Sequence, residues 1–234
     1  MNAETVPVIA IDGPSASGKG TVAAGVAFDL GFHYLDSGAL YRLVAKAAMD
    51  RGVMLRDEPD IASIAANLDA RFDGAVIFLD GQDVSDAIRL ETISAGSSVV
   101  AALPAVRAAL LERQRAFRTA PGLVADGRDM GSVVFPDATL KVYLTAAAET
   151  RAERRYKQLI GKGISDNIPR LLQELRDRDE RDRNRPVAPL IQLPDAYLLD
   201  TTELTVDEAI ASVLRWYEQA IARSSVVTRG AGGG

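Results

Sequence analysis

The stretch GPSASGKGT, residues 13–21, has the spacing of a phosphate-binding loop: Gly13, four residues, then Gly18 and Lys19. Glycines let such a backbone curl so that its N–H groups point at phosphate oxygens. Lys19 adds a point charge, and the start of the following helix adds its dipole. Gly13, Pro14, Ser15, Ala16, Ser17, Gly18, Lys19, Gly20 and Thr21 are therefore expected to hold the triphosphate of ATP or a similar nucleotide. Lys19 is followed by Gly20, which delays the hydroxyl to Thr21. Thr21 is the candidate for a magnesium ion, with a contact that runs through water.

A loop of this kind binds a nucleoside triphosphate without saying what becomes of it. Switch GTPases need a guanine-reading Asn-Lys-x-Asp, and none occurs. A net charge of −5 argues against nucleic acid as a partner. Phosphoryl transfer to a small molecule needs a second anion site built from arginines, because positioning and charge neutralisation do most of the catalysis. Three stretches offer one. LDSGALYR (35–42) places Asp36 and Ser37 at a strand end with Arg42 a helical turn on. ADGRDMG (125–131) puts Asp126, Arg128 and Asp129 at another strand end, with glycine on both sides. TRAERRYKQ (150–158) carries Arg151, Arg154 and Arg155 at helical i, i+3, i+4 spacing. Each also has a plainer reading: an exposed helix arginine for Arg42, a self-satisfied turn for GRDMG, a solvated face for 151–155.

RDRDERDRNRP (176–186) holds five arginines and four acids, and mixed-charge runs are usually solvated surface. At helical pitch, however, Arg178, Asp182 and Arg185 fall within an arc of about 60°. Asp182 would hold both arginines extended, and Pro186 is expected to end the helix just past Arg185. Arg176, Glu180 and Arg183 point elsewhere and read as the solvated face.

These residues must be positioned by a frame. The chain of 234 residues, 47% hydrophobic and 25% charged, has room for one large α/β domain with an insertion or for two small domains. Apolar runs at 8–12, 32–36, 122–126, 140–144 and 196–200 read as strands, four of them ending in Asp. Helical patterns between them imply βαβ units and a parallel sheet, with ligands beyond the C-terminal strand ends. Ser37 reads as an N-cap before the stripe Leu40, Leu43, Val44, Ala47 and Ala48, and TVDE (205–208) reads as a capping box opening the last helix. Two Asp-Gly pairs, at 73–74 and 80–81, predict a small antiparallel meander. The expected division is a core over 1–59 and 101–224, a lid near 153–169, an insertion over 60–100 and a disordered tail over 225–234.

There is no cysteine, which removes disulfides and thiol chemistry, and the lone His33 reads as structural. No apolar run approaches the ~20 residues of a membrane helix, and the first residues lack the pattern of a signal peptide. A cytoplasmic protein with no membrane partner is the expectation.

The stretches IDGPSASGKGT, LDSGALYR, ADGRDMGSVVFPDA, RDERDRNRPVAPL and LLDTT, in that order, resemble the bacterial cytidylate kinases among the nucleoside monophosphate kinases. The match runs from about residue 6 to about 202. The resemblance implies a P-loop kinase fold: a five-stranded parallel sheet flanked by helices, a small α+β CMP-binding insertion that contains the meander, and a short lid. It implies transfer of the γ-phosphoryl group of ATP, with magnesium, to CMP or dCMP, by a chain acting as a monomer. By the same resemblance Ser98, Arg107 and Asp129 read the cytosine edge, and Ser37, Arg42 and Arg128 lie along the monophosphate. Arg178 and Asp182 contact the sugar, Arg185 the phosphates, and Arg151, Arg154 and Arg155 close over ATP. No general base is required, since the attacking phosphate oxygen is already ionised. Lys19, Arg128 and Arg185 would carry the catalysis.

Overall fold

The computed structural model describes residues 6–73, 76–161, 163 and 166–230. Two compact units divide the chain: one takes the residues up to Leu35 and from Phe117 on, the other Asp36–Ala116.

The first unit is built on strands β1 (Val8–Asp12), β2 (His33–Asp36), β6 (Leu123–Gly127), β7 (Leu140–Thr145) and β8 (Tyr197–Asp200). They form one parallel sheet in the order β2-β6-β1-β7-β8. All five expected strands are present. β1 and β6 lie inside the sheet and are buried at every residue, which is why their sequences run apolar without alternation. β7 alternates buried and half-buried residues, and the edge strands β2 and β8 are more exposed. Helices α1 (Lys19–Leu30) and α8 (Val206–Gly230) cover the sheet through Val22, Val26, Val213 and Tyr217, packed on Ile9, Ile11, Val124 and Val142. The expected capping box closes on α8: Thr205 Oγ1 accepts from the N–H of Glu208, and Glu208 accepts from the N–H of Thr205.

α8 continues to Gly230, through positions 225–230 that were expected to be tail; residues 231–234 lie outside the described residues. Helices α6 (Ala148–Ile160) and α7 (Ile168–Arg183) take both flanks of the expected lid. They bury Ala152, Leu159, Leu171 and Leu175 in one seam, and residues 162, 164 and 165 between them lie outside the described residues.

The second unit holds α2 (Ser37–Asp50), α3 (Glu58–Ala66), α4 (Glu91–Val100), α5 (Pro104–Arg115) and the antiparallel strands β3 (Ala70–Asp73), β4 (Val76–Leu79) and β5 (Gln82–Asp83). Asp80 and Gly81 both adopt positive φ, 49° and 77°, as the two-residue turn between Leu79 and Gln82 demands. Gly74 of the other Asp-Gly pair lies outside the described residues. The unit is wider than the expected 60–100 because α2 packs on α4 and α3 on α5, so the apolar stripe of α2 belongs here. The N-cap of α2 is Asp36, one residue earlier than expected: its Oδ1 accepts from the N–H of Ala39 at 3.0 Å, and Ser37 is the first helical residue.

Candidate active site

β1 feeds directly into the loop Gly13–Gly18, and α1 starts at Lys19. The chain can make this turn only because Gly13 lacks a Cβ, which would overlap the Leu144 carbonyl of β7. Left-handed backbone at Ala16 (φ 58°) and Gly18 (φ 92°) curls the loop. Its carbonyls are held both from within and from distant elements. Ser17 Oγ and Lys19 Nζ donate to the carbonyl of Pro14 at 3.0 and 3.2 Å. Arg151 donates to that of Ser15 at 3.1 Å, and Arg154 and Thr201 Oγ1 donate to that of Ser17 at 3.2 and 3.0 Å. Ala16 packs on the α6–α7 seam. A loop whose carbonyls are engaged on one side presents its N–H groups to the other, the arrangement that binds phosphate.

Arg151 and Arg154 were expected over the ATP phosphates. Here Arg151 is a buried brace: it bonds the carbonyls of Ala146 and Ser15 and pairs with buried Asp179 at 2.7 Å. Arg154 also bonds Thr201 through both its hydroxyl and its carbonyl. Arg155, on the same helix, is half-buried.

The end of β6 brings in the second group. Asp126 accepts from the Tyr34 hydroxyl at 3.2 Å and stands 3.9 Å from Lys19 Nζ. Arg128 spans two elements: Nε donates to Asp182 Oδ2 and a terminal nitrogen donates to Ser15 Oγ, both at 2.8 Å. Asp182 is buried, which pushes its carboxyl up, but the guanidiniums of Arg128, Arg178 and Arg185 outweigh burial and hold it below the usual carboxylate range. Asp129 is buried beside Asp12, whose carboxyl burial raises from 3.8 to about 7 against the pull of the Gly131 and Met130 N–H groups.

Asp182 was expected to stand between Arg178 and Arg185; both guanidiniums act on its carboxylate, and Arg128, from the β6 loop, adds a hydrogen bond to it. α7 stops at Arg183, so Arg185 is not helical. The residue before a proline avoids the helical region, which ends the helix earlier than Pro186 itself. Arg185 is buried and donates at 2.6 Å to the carbonyl of Ala188, a residue held at φ 51°. Arg176, Asp177, Glu180, Arg181 and Arg183 are exposed, and Arg176 pairs with exposed Glu149.

Within the other unit, Arg42 donates to Asp36 Oδ2 at 2.6 Å, beside buried Ser37. Arg107 is buried, bonds the carbonyl of Ala101 at 3.1 Å and lies 5.5 Å from the centre of the Tyr41 ring. Ser98 Oγ is buried without a hydrogen-bond partner. Three residues that brace this region are not among the candidates named from the sequence: Asp12, Asp179 and Thr201. The recurrence of Asp at strand ends pointed to Asp12; nothing local distinguished Asp179 within its charged run.

The family model described as cytidylate kinase matches residues 9–219. The chain is 65% identical over 215 residues to a cytidylate kinase from Chromobacterium violaceum, which covers 92% of this chain and 97% of the relative. It is 57% identical to one from Polynucleobacter asymbioticus (93% and 99%) and 56% identical to one from Bordetella pertussis (92% and 97%).

Proposed function

The chain belongs to the cytidylate kinase family, and we propose that it transfers the γ-phosphoryl group of ATP to CMP or dCMP, giving ADP and CDP or dCDP. The observation that carries this reading is Arg128, whose guanidinium joins Ser15 of the phosphate-binding loop to Asp182 of α7. Set there, with Asp182 and Ser15 fixing its direction, the guanidinium supports a reading in which it neutralises charge between donor and acceptor phosphates.

Lys19 and the loop N–H groups hold the β- and γ-phosphates. Arg128 and Arg185, with Ser37 and Arg42, hold the monophosphate in line, so that one of its ionised oxygens attacks without a general base. Asp129, Ser98 and Arg107 read cytosine. An aspartate accepts from the exocyclic amine and repels the carbonyl that UMP carries there, so one group both attracts and excludes. Arg178 and Asp182 contact the sugar. Arg155 lies along the ATP phosphates, while Arg151 and Arg154 act on them through the loop carbonyls.

Among the described residues no group of three or more His, Cys, Asp or Glu side chains could hold a metal. One hydroxyl and one carboxylate beside the loop fit magnesium carried in on the triphosphate, since this ion keeps several waters and takes only one or two protein ligands. Thr21, exposed on the first turn of α1, and Asp126, whose Oδ2 stands 3.0 Å from where a Cβ on Gly20 would lie, are the residues that would hold it. When bound it neutralises charge on the phosphate oxygens.

An ADP-release assay with ATP and a panel of nucleoside monophosphates tests the reading. CMP and dCMP are expected to give turnover well above UMP and the purine monophosphates. Release no faster with CMP than with ATP alone would end it.

A further inference from the structure

Asp12 closes β1 one residue before the phosphate-binding loop, and the chemistry above does not use it. Its side chain is buried, with the residue 7% exposed, and both oxygens are committed. Oδ1 accepts from the N–H of Met130 and Oδ2 from the N–H of Gly131, each at 2.8 Å. The base of that side chain is fixed as well. Asp12 sits in register between Gly127 of β6 and Tyr143 of β7, and the next residue, Gly13, lies against the Leu144 carbonyl.

The two N–H groups it takes follow directly after Arg128 and Asp129. Asp129 has φ −148° and ψ 25°, between the end of β6 and a short π-helical turn over Met130–Val134. Its carbonyl accepts from the N–H groups of Val133 and Val134, which ties it to that turn, so the direction of the residue follows from what holds the turn itself. The carboxylate on the central strand, bonded to the first two amides of the turn, fixes the turn to the sheet.

We propose that Asp12 is a positioning residue for the acceptor nucleotide: its two oxygens anchor the Met130 and Gly131 amides and thereby fix where Arg128 and Asp129 stand. This rests on the reading that Arg128 and Asp129 meet CMP. The role requires a carboxylate. Charge-assisted bonds are roughly twice as strong as neutral ones, and a site held from a rigid element is more exact than one on a loop. Asparagine offers one acceptor, and its NH2 group would face an N–H donor.

The test compares wild type with Asp12→Asn at pH 8, where the wild-type carboxyl is ionised. Folding is checked by circular dichroism and melting. The folded variant is expected to lose ~100-fold in kcat/KM for CMP, the scale on which a 1 Å misplacement acts. Its preference for CMP over UMP should narrow, while KM for ATP stays nearly unchanged. Unaltered CMP parameters, or equal losses on the ATP and CMP sides, would overturn the proposal. If the asparagine variant does not fold, Asp12→Glu takes its place: it keeps both acceptors but moves them by a methylene, and the same CMP-selective loss is expected.

Amide hydrogen exchange separates this proposal from the functional reading. If wild type shows no CMP turnover, that reading fails. The anchor still predicts faster exchange at Met130 and Gly131 in the variant, and equal exchange would remove it.

Discussion

Arg128 bonds Asp182 and Ser15 at once, and each bond uses a different part of its fork. Lysine would keep the charge without reaching both Ser15 and Asp182. Arg128→Lys is therefore expected to lower kcat with CMP by ~100-fold, with little change in melting temperature. A variant with near wild-type kcat would show that the bridge is incidental. Asp129 makes a separate prediction. Asp129→Ala should erode the CMP-to-UMP preference more than it lowers the best rate, and an unchanged preference removes Asp129 from base recognition. Asp12 gives a pH signature. Burial raises its folded-state pKa from 3.8 to about 7, so between those values the folded chain keeps a proton that the unfolded chain has lost. The stabilisation is complete below 3.8 and gone once pH has risen through about 7. Relative to Asp12→Asn, wild-type stability should fall by about 1.4 kcal/mol per pH unit inside that window. Denaturant melts at pH 5 and pH 7 read this directly, and parallel stabilities for the two proteins would refute it.

At the scale of elements, the phosphate-binding loop is shaped as much from outside as by its own glycines. α6 supplies Arg151 and Arg154, the end of β8 supplies Thr201, and α7 supplies Asp179 to hold Arg151. Breaking the buried Arg151–Asp179 pair strands a charge, so Asp179→Ala should cost ~3–5 kcal/mol of stability. A loss below ~1 kcal/mol, the range of surface pairs, would mean that water reaches the site. Much of this frame was legible from the sequence. The five strands announced themselves by apolar runs, four of them ending in Asp, and the loop by its spacing. What stayed hidden depended on distant partners. Arg151 looks like any helix arginine until Asp179 and the Ser15 carbonyl are beside it. Arg185 looked helical because periodicity does not register how strongly the residue before a proline avoids the helix.

For the whole molecule, the division of the chain follows packing rather than motif boundaries. The second unit extends from Asp36 to Ala116 because α2 and α5 bury their apolar faces within it, and an apolar stripe does not name its partner. No described helix by itself is long and apolar enough to cross a membrane. A family match over residues 9–219 takes in almost all of both units, so the activity proposed is that of the entire chain. Its central claim is a transfer between two nucleotides, as opposed to hydrolysis. The direct test incubates the protein with ATP labelled at the γ-phosphoryl group, magnesium and CMP, and follows the label. Label is expected in CDP, with little released as inorganic phosphate. Label that appears only as inorganic phosphate, or stays in ATP, would contradict the claim.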